Sequence, residues 1–301
     1  MIYGFIGMGL MGGSLAKAVR KYVVKDGDKI YGYDKRKSVL EDAMLDGTLD
    51  AMFVAKDFPD SALSTMLLNC DLVYVCLYPE ATLEFILRHQ NDFKSDAIIT
   101  DIAGVKQKLC AGLDKYFTRS DVTVIPGHPM AGSEREGYTH SNSEIFKGRN
   151  YIFITYKNHT IEEESQKRDV DPKKLEVLKS LARKIGFTNI IETTPKNHDH
   201  KITFTSQLCH VIASALVDSA EDTSITDFGG GSFEDLTRIA MINAPLWAEL
   251  FTADKKELLD HIESFENSLD VLKKTIENEE CENIKNILEN VRKKRIEMAT
   301  H

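Results

Sequence analysis

The chain has 301 residues, a hydrophobic content of 42%, a charged content of 28% and a formal net charge of −9. These are the proportions of a soluble globular protein of one large or two ordinary domains. The acidic balance argues against nucleic-acid binding, which needs a basic face, and no apolar run approaches the ~20 residues that span a bilayer.

In chain order, Met1–Ile6 reads as a strand followed by a glycine-rich loop and a helix near Ser14–Lys21. Lys29–Tyr33 reads as a strand, Ser38–Asp46 as a helix and Leu72–Leu77 as a buried strand. A helix over 80–91, a strand at Ala97–Thr100, a helix over 104–116 and strands at Val122–Ile125 and Tyr151–Thr155 follow. Short apolar strands separated by amphipathic helices imply a parallel sheet covered on both faces. The charged segment 157–172 reads as a solvated loop, and Lys173–Ile185 as a helix capped by Gly186 ahead of a strand at Asn189–Glu192. After Pro195 strand signals end, and helices are expected over 198–221, 232–241, 254–277 and 280–299. The domain boundary is therefore set at 194/195. In the last helix Ile284, Ile287, Leu288 and Val291 share one stripe, by default intradomain core and otherwise a dimer seam.

The N-terminus enters MIYGFIGMG without a basic n-region, so no secretory signal is expected. Five cysteines, at 70, 76, 110, 209 and 281, never form a CxxC pair. They read as free thiols of a reducing cytoplasm and not as a zinc site.

GFIGMGLMGGSLA contains Gly7-x-Gly9-x-x-Gly12 between a strand and a helix. Gly7 permits the tight turn, Gly9 lets backbone approach a pyrophosphate, and Gly12 permits close helix–strand packing. The helix N-terminus beyond them favours anions. Asp34 closes the second strand 22 residues after Gly12. A carboxylate there accepts from both ribose hydroxyls and repels a 2′-phosphate, which favours NAD over NADP. Lys35 and Arg36 beside it are basic residues that could accommodate such a phosphate. The fold expected is α/β: a Rossmann-type dinucleotide-binding domain over 1–194, then an all-α domain over 195–301.

His128 in GHPMAGSE (127–134) could be a turn residue, a metal ligand or a general base. No ligand cluster accompanies it, and its ordinary pKa near 6.5 suits a base at neutral pH. Pro129 biases His128 to extended backbone after the strand Val122–Ile125, where open α/β sheets bind ligands. Arg238 stands on an otherwise apolar helix (Leu236, Ile239, Ala240) and suits bidentate carboxylate binding, or a salt bridge to Glu234 or Asp235. His200, Thr203, Gln207, His210 and Ser214 recur at intervals of three and four, as a polar stripe on an apolar helix. That stripe is expected to face a ligand cleft, with Gln207 and His210 nearest the substrate. Trp247 reads as core.

The start of the chain also resembles β-hydroxyacid dehydrogenases, but their DxPVSGG-type loop and lysine–asparagine pair are absent. GFIGMGLMGGSLA, DLVYVCLYP (71–79), TDIAGVKQ (100–107), GHPMAGSEREG (127–137), SQLCHVIASAL (206–216) and GGGSFEDLTRIA (229–240) together resemble the prephenate dehydrogenase family, in its order and over nearly the whole length. The resemblance implies NAD-dependent oxidative decarboxylation of prephenate, a dinucleotide-binding domain, a helical dimerisation domain and a cytoplasmic homodimer. It gives His128 the catalytic role and Arg238 a substrate carboxylate. It puts Ser133, Glu134, Gln207 and His210 around the substrate, and Leu10, Met11, Pro79 and Gly104 with Gly7, Gly9, Gly12 and Asp34 around the cofactor. Arogenate dehydrogenase is the near alternative, and a non-catalytic dinucleotide-binding regulatory module the remote one. The chain departs from the family where many members carry serine in DxxSVK. Here Gly104 has no hydroxyl to orient His128, and Gln207 stands where some members have histidine.

Overall fold

The structure is a computed structural model that describes residues 1–56, 60–155 and 170–299. Residues 1–254 and 255–301 form two compact units. In the first, six parallel strands make one sheet: β1 (Ile2–Ile6), β2 (Lys29–Asp34), β3 (Ala51–Val54), β4 (Leu72–Val75), β5 (Ile98–Asp101) and β6 (Thr123–Val124). Their order is β3-β2-β1-β4-β5-β6, with the reversal between β1 and β4. This is the doubly wound arrangement, whose ligands bind beyond the strands' carboxyl ends at the reversal.

Alternation along the strands explains why both faces are covered. Tyr3, Phe5, Leu72, Tyr74 and Ile98 face one apolar core. Ile6, Val73, Val75 and Ile99 face the other. Successive side chains point to opposite faces, so continuous apolar runs require helices on both. These are α1 (Leu10–Tyr22), α2 (Lys37–Leu45), α3 (Ser61–Asn69), α4 (Pro79–Arg88) and α5 (Gln107–Tyr116). Register aligns Ile6 with Tyr33 and with Val75, and Val75 with Asp101. Gly7, Asp34 and Asp101 therefore lie along the same edge of the sheet.

Several expectations change. The strand β3 and helix α3 are additional to those expected. The first residues of GHPMAGSE are not loop: Gly127–Pro129 is a strand, β7, of a second sheet with β8 (Asn150–Ile154) and β9 (Asn189–Thr193). β7 pairs antiparallel with β8, and β8 parallel with β9. So the last two strands are not part of the main parallel sheet. Pro129 is tolerated because β7 is short and at an edge. Tyr151 and Phe153 of β8 pack with Phe146 and Phe187 into the first core. α6 (Pro172–Ile185) ends at Gly186 in the left-handed region, as expected. Asp171 caps its start by accepting from Lys173 N–H at 2.8 Å. The segment 157–172, expected as a solvated loop, lies outside the described residues up to 169.

The expected helix over 104–116 begins only at Gln107, leaving Gly104–Lys106 as a loop. The helix expected over 198–221 is three pieces: α7 (Pro195–Ile202), a π-helical turn (Thr203–Gln207) and α8 (Leu208–Asp218). The wider turn shifts the phase of the polar stripe, and π-turns recur at functional sites. α9 (Gly231–Thr237) runs into a 3₁₀ turn at Arg238–Ala240. α10 (Ala244–Ala253), which was not expected, closes this unit.

The second unit is a pair of helices, α11 (Lys255–Glu277) and α12 (Cys281–Ala299). Of the α12 stripe, Leu288 and Val291 are more than half exposed, so the default core reading does not hold for them. Among the described residues no helix is long and apolar enough to cross a membrane.

Candidate active site

Gly7 has φ +89, a left-handed conformation that suits glycine, and a Cβ there would lie 2.6 Å from the Cys76 carbonyl. A Cβ on Gly12 would lie 1.9 Å from the Gly7 carbonyl, so only glycine permits this approach of helix to loop. Gly9 is different: nothing lies within 4 Å of a Cβ built on it. Gly9 also leads into α1, whose first turn carries no acidic side chain and whose N-cap makes no side-chain hydrogen bond. The start of α1 thus carries no side-chain cap over its backbone N–H groups at Leu10 and Met11, the arrangement that suits a pyrophosphate. Asp34 is buried; its Oδ2 accepts from Met8 N–H at 2.8 Å and its Oδ1 from Arg36 N–H at 2.9 Å. The Arg36 guanidinium lies 3.5 Å from the same carboxylate. Pro79 is the buried first residue of α4, beyond the end of β4.

His128 projects from β7 and is half-buried. Its Nδ1 lies 2.9 Å from Nε2 of His198, and His198 Nδ1 lies 2.6 Å from Asp199 Oδ1. Asp199 is buried and also accepts from the backbone N–H groups of Lys106 (2.8 Å) and Gln107 (2.7 Å). An ionised carboxylate only accepts, so His198 carries its proton on Nδ1. His198 Nε2 is then an acceptor, and neutral His128 must donate from Nδ1. That leaves His128 Nε2 with a lone pair, the form a general base requires. Burial above all, then His198 and Lys106, pushes His128 well below its ordinary pKa of 6.5. Burial pushes His198 down as well. The Asp199 carboxyl is pushed up to about 6 by burial.

Where Gly104 offers no hydroxyl, the hydrogen-bond partner of His128 Nδ1 is His198 Nε2. A Cβ at 104 would meet Leu250 Cδ2 of α10 at 3.2 Å and His128 Cε1 at 4.0 Å. Leu250 fills the space a larger residue at 104 would take. Gly104→Ser is expected to destabilise by roughly 1–3 kcal/mol through overpacking. Combined with Leu250→Ala, the two costs should be non-additive by roughly 0.5–3 kcal/mol in thermal denaturation. Additive costs would mean that Leu250 does not occupy this space.

The other expected substrate residues divide. Arg238 Nη1 lies 3.3 Å from Glu134 Oε2, not on Glu234 or Asp235. This exposed pair is weakly held and leaves the guanidinium available. Ser133 is exposed, and its Oγ accepts from Arg135 N–H within its own loop, so the described contacts do not bring it to His128. Thr203 and Gln207 are buried, with Thr203 Oγ1 and Gln207 Oε1 lacking a partner among the described residues. His210 Nδ1 bonds the Ser206 carbonyl at 2.9 Å, and burial pushes its pKa below 6.5. Trp247 is not core: it is half-buried and stacks on His210 with ring centroids 3.6 Å apart. His200, the first residue of the stripe, is exposed. His198, Asp199, Lys106 and Asp101 were missed. The adjacent His-Asp pair before the stripe was their available signal.

The family model for the prephenate dehydrogenase nucleotide-binding domain matches residues 15–192, and that for the prephenate dehydrogenase dimerization domain matches 194–290. The chain belongs to the prephenate dehydrogenase family. A prephenate dehydrogenase of Bacillus subtilis is 27% identical, over 92% of this chain and 71% of its own. A cyclohexadienyl dehydrogenase of Zymomonas mobilis is 26% identical, over 98% and 95%. The crystal structure of prephenate dehydrogenase from A. aeolicus, in complex with hydroxyphenyl propionate and NAD+, superposes with a TM-score of 0.83 at 28% identity, covering 99% of this chain and 98% of that one. Family membership agrees with the reversal-point loop, the open helix N-terminus and the histidine pair at the same edge.

Proposed function

We propose that this chain catalyses the NAD-dependent oxidative decarboxylation of prephenate to 4-hydroxyphenylpyruvate, in tyrosine biosynthesis, with His128 as general base. The observation that carries the reading is the His128–His198–Asp199 chain, which leaves a lone pair on His128 Nε2 in a member of this family. NAD, when bound, supplies the hydride acceptor for the carbinol hydrogen of the substrate.

The residues of the chain do the rest. Gly7, Gly9, Leu10, Met11 and Gly12 hold the pyrophosphate, Asp34 the ribose hydroxyls, and Pro79 and Gly104 line the cofactor cleft. His128 Nε2 takes the hydroxyl proton as the carbinol becomes a carbonyl. The ring carboxylate then leaves as carbon dioxide; its bonding pair aromatises the ring and shifts the carbonyl pair onto oxygen, which takes a proton back from His128 or from water to give the phenol. Arg238 binds a substrate carboxylate, exchanging its loose pairing with Glu134 for a bidentate one. Gln207 and His210 line the substrate pocket, with Ser133 and Glu134 at its mouth.

One observation favours a second reading. The buried Gln207 Oε1 has no donor among the described residues, and the ammonium of arogenate would supply one. The test is NADH or NADPH formation from prephenate and from arogenate. The largest kcat/KM is expected for NAD with prephenate. A larger value with arogenate would transfer the activity to that substrate, and no turnover with either would leave a dinucleotide-binding module.

The same proposal divides the chain into a dinucleotide-binding domain, 1–194, and a helical substrate and dimerisation domain, 195–301, acting as a cytoplasmic homodimer. Support comes from the dimerization-domain description of the matched family and from apolar side chains left exposed, among them Phe228, Leu236 and Met241. A stable monomer in sedimentation would overturn the dimer.

A further inference from the structure

Lys106 and Asp101 are 0% and 1% exposed and pair at 2.5 Å. Buried ion pairs add little stability over apolar replacements of similar volume, so such a pair beside a reactive centre invites another role. Both residues reach the base. Asp101 Oδ1 accepts from the N–H of Gly127, the residue joined to His128, at 3.3 Å. Lys106 N–H donates to Asp199, which holds His198, which holds His128. Following these contacts from His128 through His198, Asp199, Lys106, Asp101 and Gly127 returns to His128.

We propose that Lys106 is a positioning residue for the reaction, closing this ring and fixing His128 from both its backbone and its imidazole side. The inference rests on the reading of His128 as the base. The ring holds the imidazole in one orientation and one tautomer. The ammonium adds an electrostatic constraint, because a proton on either imidazole would place like charge in the same dry pocket. Among the described residues, the charged groups bonded around the pair are Asp199 of α7, Lys106 and, through Lys106 and Gly127, Asp101 of β5. Tyr151 of β8 sits near Asp101 with its phenol pushed far up by burial. From α10, Leu250 approaches Gly104 beside His128, and Asp254 at the end of that helix accepts from the Gln107 side chain at 3.3 Å. Both imidazoles are pushed down, and Lys106 contributes in each case after burial.

The sign follows. The base is competent when unprotonated, so a depressed pKa extends activity to lower pH. Loss of the ammonium should raise the pKa and move the acid limb of kcat/KM upward. Lys106→Gln keeps a donor to Asp101 without the charge, and Lys106→Arg keeps the charge. In the wild type the acid limb is expected below pH 6.5. In Lys106→Gln it should rise by about one pH unit, a roughly tenfold loss at the limb relative to the variant's own plateau. In Lys106→Arg the limb should stay, whatever the plateau does. A limb that stays in both variants overturns the proposal, since a purely structural lysine would lower the plateau alone.

Should either variant fail to fold, ¹⁵N shifts of the histidines in the native protein decide. Neutral rings, each protonated on Nδ1, are expected for His128 and His198 at pH 7, where the Asp199 carboxyl, pushed up to about 6, is ionised. An imidazolium at either position at pH 6.5 overturns the proposal. These shifts are read without substrate, whereas failure of the base reading itself would appear as turnover surviving in His128→Asn.

Discussion

His128→Asn should lower kcat by roughly 10²–10⁴-fold, the range that a positioned general base contributes. NAD affinity, followed by protein fluorescence, should stay nearly unchanged. The separation is expected because the residues proposed for the pyrophosphate and ribose, Gly7 to Gly12 and Asp34, lie at the ends of β1 and β2, whereas His128 lies on β7 of the second sheet. Asparagine retains a polar side chain of smaller volume but offers no basic nitrogen at neutral pH. Turnover close to that of the native chain would eliminate His128 as the base. A parallel loss of NAD binding would instead mean that the substitution had disturbed the cofactor cleft.

Asp199→Asn should cost about as much, roughly 10²–10⁴-fold in kcat, through a carboxylate two hydrogen bonds away from the reacting nitrogen. Asp199 Oδ2 faces the backbone donors of Gln107 at 2.7 Å and Lys106 at 3.1 Å, and Oδ1 faces His198. Those backbone donors cannot reverse, so the asparagine oxygen turns to them and its NH₂ turns to His198. His198 Nδ1 must then accept, and its proton moves to Nε2. That proton is donated to His128 Nδ1, which forces the His128 proton onto Nε2, where the lone pair was needed. The fold should persist, because the substitution is isosteric and the backbone donors remain satisfied. Histidine ¹⁵N shifts reporting an Nε2–H on His128 together with lost turnover would establish the inversion. An unchanged tautomer with full activity would remove Asp199 from the mechanism.

The two substitutions probe what was least legible in the sequence. The glycine loop was legible because its constraints are local. Gly7, Gly9 and Gly12 are separated by one or two residues, and each answers to a steric demand within the same turn. The strands β1 and β4 were legible because a strand buried on both faces is written as an uninterrupted apolar run. The stretch holding β3 and α3 carries a weaker pattern: β3 is only half-buried throughout, which dilutes the apolar signal. The α7–α8 region was read as one helix because periodicity does not register the extra residue of a π-turn.

The candidate site was legible in its proposed base and not in its support. His128 stands out in GHPMAGSE, and Arg238 in LTRIA, because each is a chemically conspicuous residue in an unlike neighbourhood. The partners of His128 are set by contacts across long separations. His198 is 70 positions away, and Lys106 meets Asp199 across 93. No local pattern encodes such pairings.

From its sequence alone this protein determined a doubly wound dinucleotide-binding fold, a helical remainder, the cofactor loop and a histidine suited to base catalysis. Short-range sterics and apolar periodicity suffice for each of these. Only the tertiary structure decided that β7 belongs to a second sheet, that Leu250 fills the space beside Gly104, and that His198 is the partner of His128. The physical reason is that hydrogen-bond partners and excluded volume at a site are properties of elements brought together by packing, and packing pairs residues without regard to their distance along the chain.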